Sequence, residues 1–178
     1  MLTFGHGRAD RDRLAALLTG AGVEHIVDVR RFPGSRANPA AAAGQIEALA
    51  TEFGISYRHE PRFGGRRRLT AAEAATAPDT WWTVPAFRAY AGWTRGPQFR
   101  AALTELLETA APRTTALMCS ESLWWRCHRR LIADVLVREC AVAVGHLMHN
   151  GTIAEHRPCA GARIGPDGRL VWDGAAAP

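Results

Sequence analysis

Short apolar runs alternate along the chain with longer segments in which apolar residues recur every three or four positions. The short runs predict β-strands over residues 2–5, 24–30, 55–59, 114–119 and 142–147. The longer spacing predicts a helix from Asp10 to Gly20, an alanine-rich helix that ends near Gly54, and helices over residues 84–93, 97–111 and 127–139. The sequence GARIGPDGRLVWD predicts a hairpin, because Pro-Asp-Gly is typical of a turn.

Alternation of strands and helices is typical of α/β proteins. We therefore expect one domain over residues 1–178, with a largely parallel sheet of about five strands flanked by helices, and a small C-terminal hairpin. The segment 60–83 lacks a periodic pattern and is rich in glycine and arginine, which predicts a functional or mobile loop.

The composition is that of a globular chain, with 47% hydrophobic and 22% charged residues. No apolar run reaches the roughly 20 residues that cross a bilayer, so no membrane partner is expected. The first residues soon become polar and charged, which is not typical of a signal peptide, so the expected location is cytoplasmic. In that compartment the 4 cysteines are expected to be reduced thiols, ligands or nucleophiles rather than disulfides.

All 22 cationic residues are arginine, and the formal net charge is +5. A GC-rich coding sequence would explain the absence of lysine, but it would not explain why the arginines cluster. The clusters comprise Arg30, Arg31 and Arg36; Arg62, Arg66, Arg67 and Arg68; and Arg126, Arg129 and Arg130. Because the planar guanidinium group matches phosphate and carboxylate groups, an anionic partner is expected.

Chemically capable side chains follow or end the predicted strands. They are His6, Asp28 with Arg30, His59, Cys119 with Glu121, and His146. Ligands of open α/β sheets bind beyond the carboxyl ends of the strands, so these side chains are expected to meet in one crevice. An unpaired carboxylate is costly to bury, so Asp28 is expected to pair with an arginine.

The densest chemistry lies in the segment CSESLWWRCHRR over residues 119–130. It leads into a predicted helix whose first turn carries Cys127 and His128, where free amides and the helix dipole favour a thiolate or a bound anion. A nucleophilic or redox cysteine paired with a histidine is one interpretation. Burial of Cys119 and Cys127 as small packing residues is the alternative.

Phosphatase and zinc patterns fit this segment less well. A phosphatase-like loop has one residue fewer between its cysteine and arginine than the six that separate Cys119 from Arg126. A structural zinc site uses closely spaced cysteine pairs, whereas Cys119 and Cys127 are further apart. A mixed metal site stays open, and its ligands would be Cys119 or Cys127 with His6, His146 and Glu121. The sequence therefore assigns no metal or cofactor.

Six segments of the chain together resemble one known family. They are FGHG, VDVRRFPGSRANP, GISYRHEPRFGGRR, AFRAYAGW, ALMCSESLWWRCHRRLIADVL and VGHLMHNG. This ordered series resembles the domain-of-unknown-function 488 family over about residues 3–157, which leaves 158–178 as a C-terminal tail. Gly7 stands where the family commonly has serine, and Phe63 where leucine is usual.

The resemblance implies an α/β domain and a set of positions to examine, but no substrate. The family positions present in this chain are His6, Asp28, Arg30, Pro33, Ser35, His59, Gly64, Gly65, Cys119, Glu121, Cys127, His128 and Arg129. The Leu-Trp-Trp unit before Arg126 is less polar than is usual in the family, which bears on the size or polarity of the substrate.

Three functions are compatible with these residues. In the leading one, an enzyme or ligand-binding domain acts on a small anionic molecule such as a nucleotide. Its candidate catalytic residues are Cys127, Cys119, His128, His6 and Glu121, and its candidate ligand-binding residues are Arg30, Asp28, Arg36, Ser35, His59 and Arg129.

The second function is that of a nucleic-acid-associated module without catalysis. The arginine-rich segment 60–83 would then contact phosphates, and tryptophans would stack on bases, unless they pack in the core. These tryptophans are Trp81, Trp82, Trp124 and Trp125. The third is a structural or regulatory protein whose polar crevice merely holds an ion.

Overall fold

The computed structural model describes residues 1–110 and 112–174. Its strands are β1 (Leu2–Gly5), β2 (His25–Asp28), β3 (Ser56–His59), β4 (Thr115–Cys119), β5 (Gly145–Leu147), β6 (Ile153–Glu155), β7 (Ala162–Ile164) and β8 (Leu170–Trp172). Its helices are α1 (Arg11–Gly20), α2 (Gln45–Glu52), α3 (Ala71–Thr76), α4 (Pro85–Thr94), α5 (Pro97–Ala110) and α6 (Arg129–Cys140). Short 3-10 turns lie at Pro39–Ala41, Pro61–Phe63 and Trp124–Arg126.

Six of these strands form one sheet in the order β3-β2-β4-β1-β5-β6. Strands β3, β2, β4, β1 and β5 are parallel to one another, and β6 is antiparallel to β5. Strands β7 and β8 form a separate antiparallel hairpin. The expected α/β fold, with a largely parallel sheet and a small C-terminal hairpin, is confirmed. The antiparallel strand β6 was not expected from the sequence.

The sheet separates two apolar layers, because successive residues of a strand point to opposite faces. Val27 and Leu117 pack against the helices α4, α5 and α6. Ile26 and Ala116 point the other way and pack against α1 and α2. Cys119 ends β4 on the face of α4, α5 and α6, so its side chain points towards the turn that precedes α6.

Helix α6 begins two residues later than the pattern predicts. Cys127 has extended backbone angles after the Trp124–Arg126 turn, and His128 occupies the N-cap position. Its carbonyl oxygen accepts the first helical hydrogen bond, from the amide of Ile132. Cys127 and His128 therefore lie directly before the helix, and the prediction that they form its first turn is wrong.

Strand β5 also begins later, at Gly145 rather than at residue 142. Ala141 ends α6 with a positive φ of 55°, and the amide of Val142 then bonds back to the carbonyl of Leu136. The connection uses these residues for helix termination, so they do not join the sheet. His146 lies within β5, one residue before the strand ends at Leu147, and not beyond its carboxyl end.

The segment 60–83 is more regular than its composition predicts. It contains the Pro61–Phe63 turn and α3, which begins with a capping box between Thr70 and Glu73. The interpretation of the whole segment as irregular is therefore wrong. The alanine-rich helix is also shorter than expected, because a 3-10 turn precedes α2. The expected end of the helix over 97–111 falls on Ala111, outside the described residues.

The C-terminal hairpin packs against α6. Trp172 of β8 is fully buried, and its indole Nε1 donates to Asp134 of α6 at 2.7 Å. None of the helices in the described part of the chain is long and apolar enough to cross a membrane.

Candidate functional site

A cavity of about 370 Å³ opens at the carboxyl ends of β2 and β4, which is the edge where ligands of open α/β sheets bind. Its lining includes Arg30 after β2, Cys119 at the end of β4, and Cys127 before α6. Helix α4 supplies the opposite wall with Phe87 and Tyr90. We name this cavity the cysteine pocket.

Two cysteines and a histidine meet at the floor of the pocket. His128 Nδ1 lies 3.6 Å from Cys127 Sγ and 3.9 Å from Cys119 Sγ. Both thiols are free and almost fully buried, with 8% of Cys119 and 4% of Cys127 exposed. Because both residues also line the cavity, their exposed surface faces the site where a ligand would lie.

The two thiols differ in acidity because each affects the other. The hydrogen bond to Cys127 and burial raise the pKa of Cys119 well above its usual range. Burial also opposes ionisation of Cys127, but hydrogen bonds from Cys119 and His128 and the charges of His128 and Arg129 hold its pKa well below the usual range. Cys127 is therefore the thiolate of the pair, and the Cys119 thiol donates a hydrogen bond to it.

His128 is held between two other residues of the pocket. Its ring lies 5.0 Å from the ring of Tyr90, measured between centroids. On the other side, a Cβ atom on Gly65 would lie only 2.9 Å from His128 Nδ1. A glycine at this position therefore leaves the space that the imidazole occupies.

Arg129 is buried behind Cys127 and uses its three nitrogens for different partners. Its Nε donates to Cys127 Sγ at 3.4 Å, Nη1 donates to Thr3 Oγ1 at 3.1 Å, and Nη2 donates to the backbone oxygen of Glu121. A Cβ atom on Gly5 would lie 1.8 Å from that backbone oxygen, so a side chain at Gly5 would displace the loop. Glu121 lines the pocket, and its carboxylate accepts a hydrogen bond from the amide of Leu123 at 3.0 Å.

Asp28 and Arg30 form the buried ion pair that the sequence predicts. The Arg30 guanidinium donates to both carboxylate oxygens, with distances of 2.6 to 3.0 Å, and Tyr57 donates to Asp28 Oδ2 at 3.0 Å. His59 Nε2 donates to the backbone oxygen of Arg30 at 2.8 Å. Together with the hydrogen bonds from Arg30 Nη1 to the Ala41 carbonyl and to His6, these contacts hold Arg30 at the edge of the pocket and occupy most of its donors.

His6 lies behind Arg30 and is 2% exposed. Its Nδ1 donates to the Gly7 carbonyl at 3.0 Å, so Nε2 accepts from Arg30 Nη1 at 3.5 Å. Burial and the Arg30 charge lower the pKa of His6. His6 therefore supports Arg30 as a neutral imidazole and does not belong to the lining of the pocket.

The mouth of the pocket carries cations that the protein does not neutralise. Arg31, Arg66 and Arg126 line it, are exposed, and form no ion pair within residues 1–110 and 112–174. Arg36, which the sequence nominates as an anion ligand, is exposed and does not line the cavity. Ser35 does not line the cavity either, and its hydroxyl accepts a hydrogen bond from the amide of Asn38.

Cys119, Cys127 and His128 could hold a metal ion, since their ligand atoms lie within 4.8 Å of one another. Two sulfurs and one imidazole nitrogen are donors that suit zinc. The guanidinium group of Arg129 on the Cys127 sulfur opposes a second positive charge there, and it favours a metal-free thiolate. The mixed set weighed from the sequence is not assembled, because the His6 and His146 rings bond to other protein groups.

The tryptophans divide between surface and interior. Trp81 and Trp125 are 44% and 43% exposed, and Trp82 is buried. The ring of Trp124 stacks on His146 with centroids 4.0 Å apart and planes at 7°. Two of the four proposed base-stacking side chains are therefore engaged within the protein.

Sequence reasoning missed several residues that shape the pocket. Tyr90 and Phe87 belong to a helix that the sequence predicts, yet nothing in their spacing indicates which strand end they face. The sequence shows Thr3 only as one residue of a short predicted strand, although its hydroxyl accepts a hydrogen bond from Arg129. Gly64 and Gly65 were not missed, because the family resemblance already includes them, and two adjacent glycines often mark a close approach.

Comparison with known proteins gives one match. A family model described as Domain of unknown function DUF488 matches residues 10–136. The matched region includes Asp28, Arg30 and the whole segment from Cys119 to Arg129, and it confirms the resemblance to this family. The first and last of the six segments, FGHG and VGHLMHNG, lie outside the matched residues. No curated protein and no solved structure matches the chain.

Proposed function

This chain belongs to the DUF488 family, whose description names no activity, and we propose that it is a thiolate-dependent enzyme that acts on a small anionic substrate. Cys127 is the nucleophile. The observation that carries this proposal is the position of the Cys127 sulfur, which accepts from Arg129 Nε at 3.4 Å, lies 3.6 Å from His128 Nδ1 and belongs to a cavity with unneutralised cations at its mouth. These neighbours also lower its pKa. Nucleophilic cysteines are thiolates in electropositive surroundings that a substrate can reach. Arg129 and His128 supply the positive surroundings of Cys127, and its small exposed surface opens onto the cavity.

The substrate class follows from the walls of the pocket. The three unpaired guanidinium groups of Arg31, Arg66 and Arg126 suit a phosphate or carboxylate group. Phe87 and Tyr90 form an apolar wall that suits a planar or apolar part of the same molecule. A cavity of about 370 Å³ has room for a mononucleotide-sized ligand. A small anion with an aromatic portion, such as a nucleotide, therefore fits best.

The chemistry is nucleophilic substitution at an electrophilic centre of that substrate. The Cys127 sulfur forms the new bond, and the bond between that centre and its leaving group breaks. His128, whose Nδ1 lies 3.6 Å from the sulfur, holds the proton that the leaving group takes up. Arg129 stabilises the thiolate before attack, and Glu121 orders the loop that carries the reacting groups.

Alkylation of the protein by iodoacetate and by iodoacetamide tests this proposal. The two reagents react with thiolates, but only iodoacetate is an anion. We expect one fast-reacting thiol at neutral pH, lost in Cys127→Ser and retained in Cys140→Ser, since burial raises the pKa of Cys140. We also expect Cys127 to prefer iodoacetate more strongly than free cysteine does, because the arginines concentrate anions at the pocket.

A pair of charge-matched variants separates the pocket from the overall charge. Arg126→Gln should reduce the preference for iodoacetate by about threefold to tenfold, whereas Arg138→Gln on the exposed side of α6 should leave it unchanged. Equal effects of the two variants would contradict the anion site. A fast thiol that survives in Cys127→Ser would contradict the nucleophile. Measurement with and without a chelator shows whether a metal masks the thiols.

The nucleic-acid alternative is favoured by one observation. Arg66, Arg67 and Arg68 line two further grooves that adjoin the cysteine pocket. A module that binds nucleic acid through them would lose affinity for a short oligonucleotide steeply with salt, and the triple change of these residues to glutamine would flatten that slope. If AMP protects Cys127 from alkylation and the protein binds no oligonucleotide, the enzyme function is favoured.

A further inference from the structure

A line of buried polar side chains lies behind the cysteine pocket and leads from Arg129 towards the C-terminal hairpin. Thr3 Oγ1 accepts from Arg129 Nη1 at 3.1 Å and lies 2.8 Å from His146 Nδ1. His146 Nε2 lies 2.9 Å from His156 Nδ1, and His156 Nε2 lies 2.9 Å from Asp134 Oδ1. None of these five residues is more than 4% exposed, so their hydrogen bonds are made within the protein. We name the five residues the buried relay.

The two ends of the buried relay have opposite hydrogen-bonding roles. Arg129 can only donate hydrogen bonds, and an ionised Asp134 can only accept them. Asp134 also accepts from the indole Nε1 of Trp172 at 2.7 Å and from the amide of Cys159 at 3.0 Å. The relay therefore has a donor at one end and an acceptor at the other, and every hydrogen bond between them must point the same way.

This direction determines the tautomer of both histidines. His156 must carry its proton on Nε2 to donate to Asp134, which leaves Nδ1 as an acceptor. His146 must then carry its proton on Nε2 as well, so that its Nδ1 accepts from the Thr3 hydroxyl. The Thr3 oxygen is then free to accept from Arg129. One arrangement, with both imidazoles neutral, satisfies all of these hydrogen bonds.

An additional proton on His156 would leave one hydrogen bond of the buried relay unmade. If His156 were charged, its Nδ1 would donate to His146, and His146 Nδ1 would in turn donate to Thr3. The Thr3 oxygen would then accept from both sides, and its own proton would lose its acceptor in the buried relay. Burial, the neighbouring His156 and the Arg129 charge lower the pKa of His146 to about 3, in agreement with a neutral ring.

The geometry of Arg129 connects the relay to the pocket. A guanidinium group is planar and rigid, so fixing two of its nitrogens determines where the third N–H points. Thr3 holds Nη1 and the backbone oxygen of Glu121 holds Nη2, and Nε then points at Cys127 Sγ. We propose that Thr3 is a positioning residue that holds Arg129 against the Cys127 thiolate, and that Asp134, His156 and His146 set the direction of its hydroxyl group. This inference rests on the proposed role of Cys127.

The turn that leads to Cys127 also covers the relay. Trp124 of that turn stacks flat on His146 and lies edge-on to His156, with ring centroids 5.6 Å apart. Its ring lies against both histidines and helps to keep them from solvent. Movement of this turn would therefore affect the relay and the position of Cys127 together.

Two substitutions of Thr3 separate a positioning role from a packing role. Thr3→Val keeps the shape but removes the hydroxyl, and Thr3→Ser keeps the hydroxyl but removes the methyl group. We expect Thr3→Val to slow alkylation of Cys127 at neutral pH by about tenfold, which corresponds to a rise of about one unit in its pKa. Thr3→Ser should retain the wild-type rate within about twofold. Both variants should unfold at a lower temperature, so loss of stability alone would not separate them.

A second measurement needs no variant. Nitrogen-15 NMR of the imidazoles at about pH 7 should show His146 and His156 both protonated on Nε2 and not on Nδ1, and the His146 ring should not titrate between about pH 5 and pH 8. A proton on Nδ1 of either ring at about pH 7, or titration of the His146 ring in this range, would overturn the direction of the relay. This result does not depend on whether Thr3→Val folds.

The outcomes also distinguish this inference from the proposed function. If Cys127→Ser abolishes fast alkylation while Thr3→Val and Thr3→Ser react equally, the nucleophile stands and the positioning role of Thr3 is overturned. If the wild-type protein has no fast-reacting Cys127, the proposed function and the positioning role fail together.

Discussion

Cys119 and Cys127 lie side by side at the pocket floor, yet only Cys127 has a lowered pKa. The asymmetry arises because Arg129 and His128 face the Cys127 sulfur, and because the Cys119 proton is shared with it. A thiolate next to a protonated thiol is the arrangement in which one sulfur attacks and the other resolves.

This asymmetry predicts how the pocket responds to hydrogen peroxide. The Cys127 thiolate should attack one peroxide oxygen to give a sulfenic acid and hydroxide, and the Cys119 thiol should then displace water to form a disulfide. Intact mass should fall by two hydrogen atoms, and a thiol reductant should restore it. Cys119→Ser should stop at the sulfenic acid, whereas Cys140→Ser should behave as wild type. Accumulation of a sulfinic acid without any disulfide would contradict the prediction.

Sequence reasoning at the residue level succeeds where side chains are close along the chain. Cys119, Glu121, Cys127 and His128 lie within one short segment, and the structure places all four in the lining of one pocket. The arginines are different, because the reach of a long side chain depends on distant partners. Arg36 is exposed and does not line the cavity, and no local pattern indicates this. Arg66 reaches the mouth from another segment.

Close packing of elements around His128 depends on one glycine. Gly65 lies after the Pro61–Phe63 turn and faces the residue that caps α6. Its backbone does not need a positive φ, so the reason for glycine is space and not conformation. The loop after β3 therefore positions the start of α6 by close approach.

Gly65→Ala should displace the His128 ring, since the new Cβ atom would lie 2.9 Å from Nδ1 while Tyr90 blocks the other side. We expect a loss of about 1–3 kcal/mol in the free energy of unfolding and slower alkylation of Cys127. Gly20→Ala is the matched change, because its Cβ would meet nothing within 4 Å. It should leave alkylation unchanged and should not destabilise the protein. Equal behaviour of the two variants would show that the space beside His128 is not required.

Element boundaries were predictable where a local signal was complete. The Thr70–Glu73 capping box marks the start of α3 and could have been found in the segment 60–83. The start of α6 could not, because Cys127 and Leu131 keep helical spacing and no local signal marks the extended backbone at Cys127. Strand β6 is a three-residue strand with two largely exposed side chains, so it lacks the apolar pattern that indicates a strand.

At the scale of the whole molecule, three buried histidines have pKa values that their surroundings lower. Burial is the largest cause that lowers the pKa of His6, His25 and His146, and for His146 the value falls to about 3. An unfolded chain would bind protons at these rings near pH 6.5, whereas the folded chain would not. Their contribution to stability is therefore complete above pH 6.5 and is lost as the pH falls towards the folded values.

Urea unfolding between about pH 7 and pH 5 should show this loss, because most carboxylates remain charged in that range. One histidine contributes a slope of at most about 1.4 kcal/mol per pH unit. His146→Gln should be less stable than wild type at pH 7 but should show a shallower decline. Because the rings are buried, added salt should change the slope little. A slope that His146→Gln leaves unchanged would show that His146 titrates equally in both states.

The fold as a whole was predictable in class but not in strand order. Alternating strand and helix patterns indicate a parallel sheet, and the five parallel strands were all found. Each pattern describes one element, however, and β2 and β3 carry no mark that places β4 beside β2 instead of at an edge. The pairing depends on how helices on both faces pack, which is a property of the assembled chain.

The position of β1 also affects how the protein is made. Leu2 pairs with Ala116 of β4 and with Gly145 of β5, so both neighbours of β1 are encoded far downstream. At about 5–20 residues per second, a ribosome releases β1 on the order of ten seconds before the strands that will hydrogen-bond to it. Thr3 cannot meet Arg129 until then. The nascent chain therefore lacks the contact that holds Arg129 against Cys127 until Arg129 itself has been released.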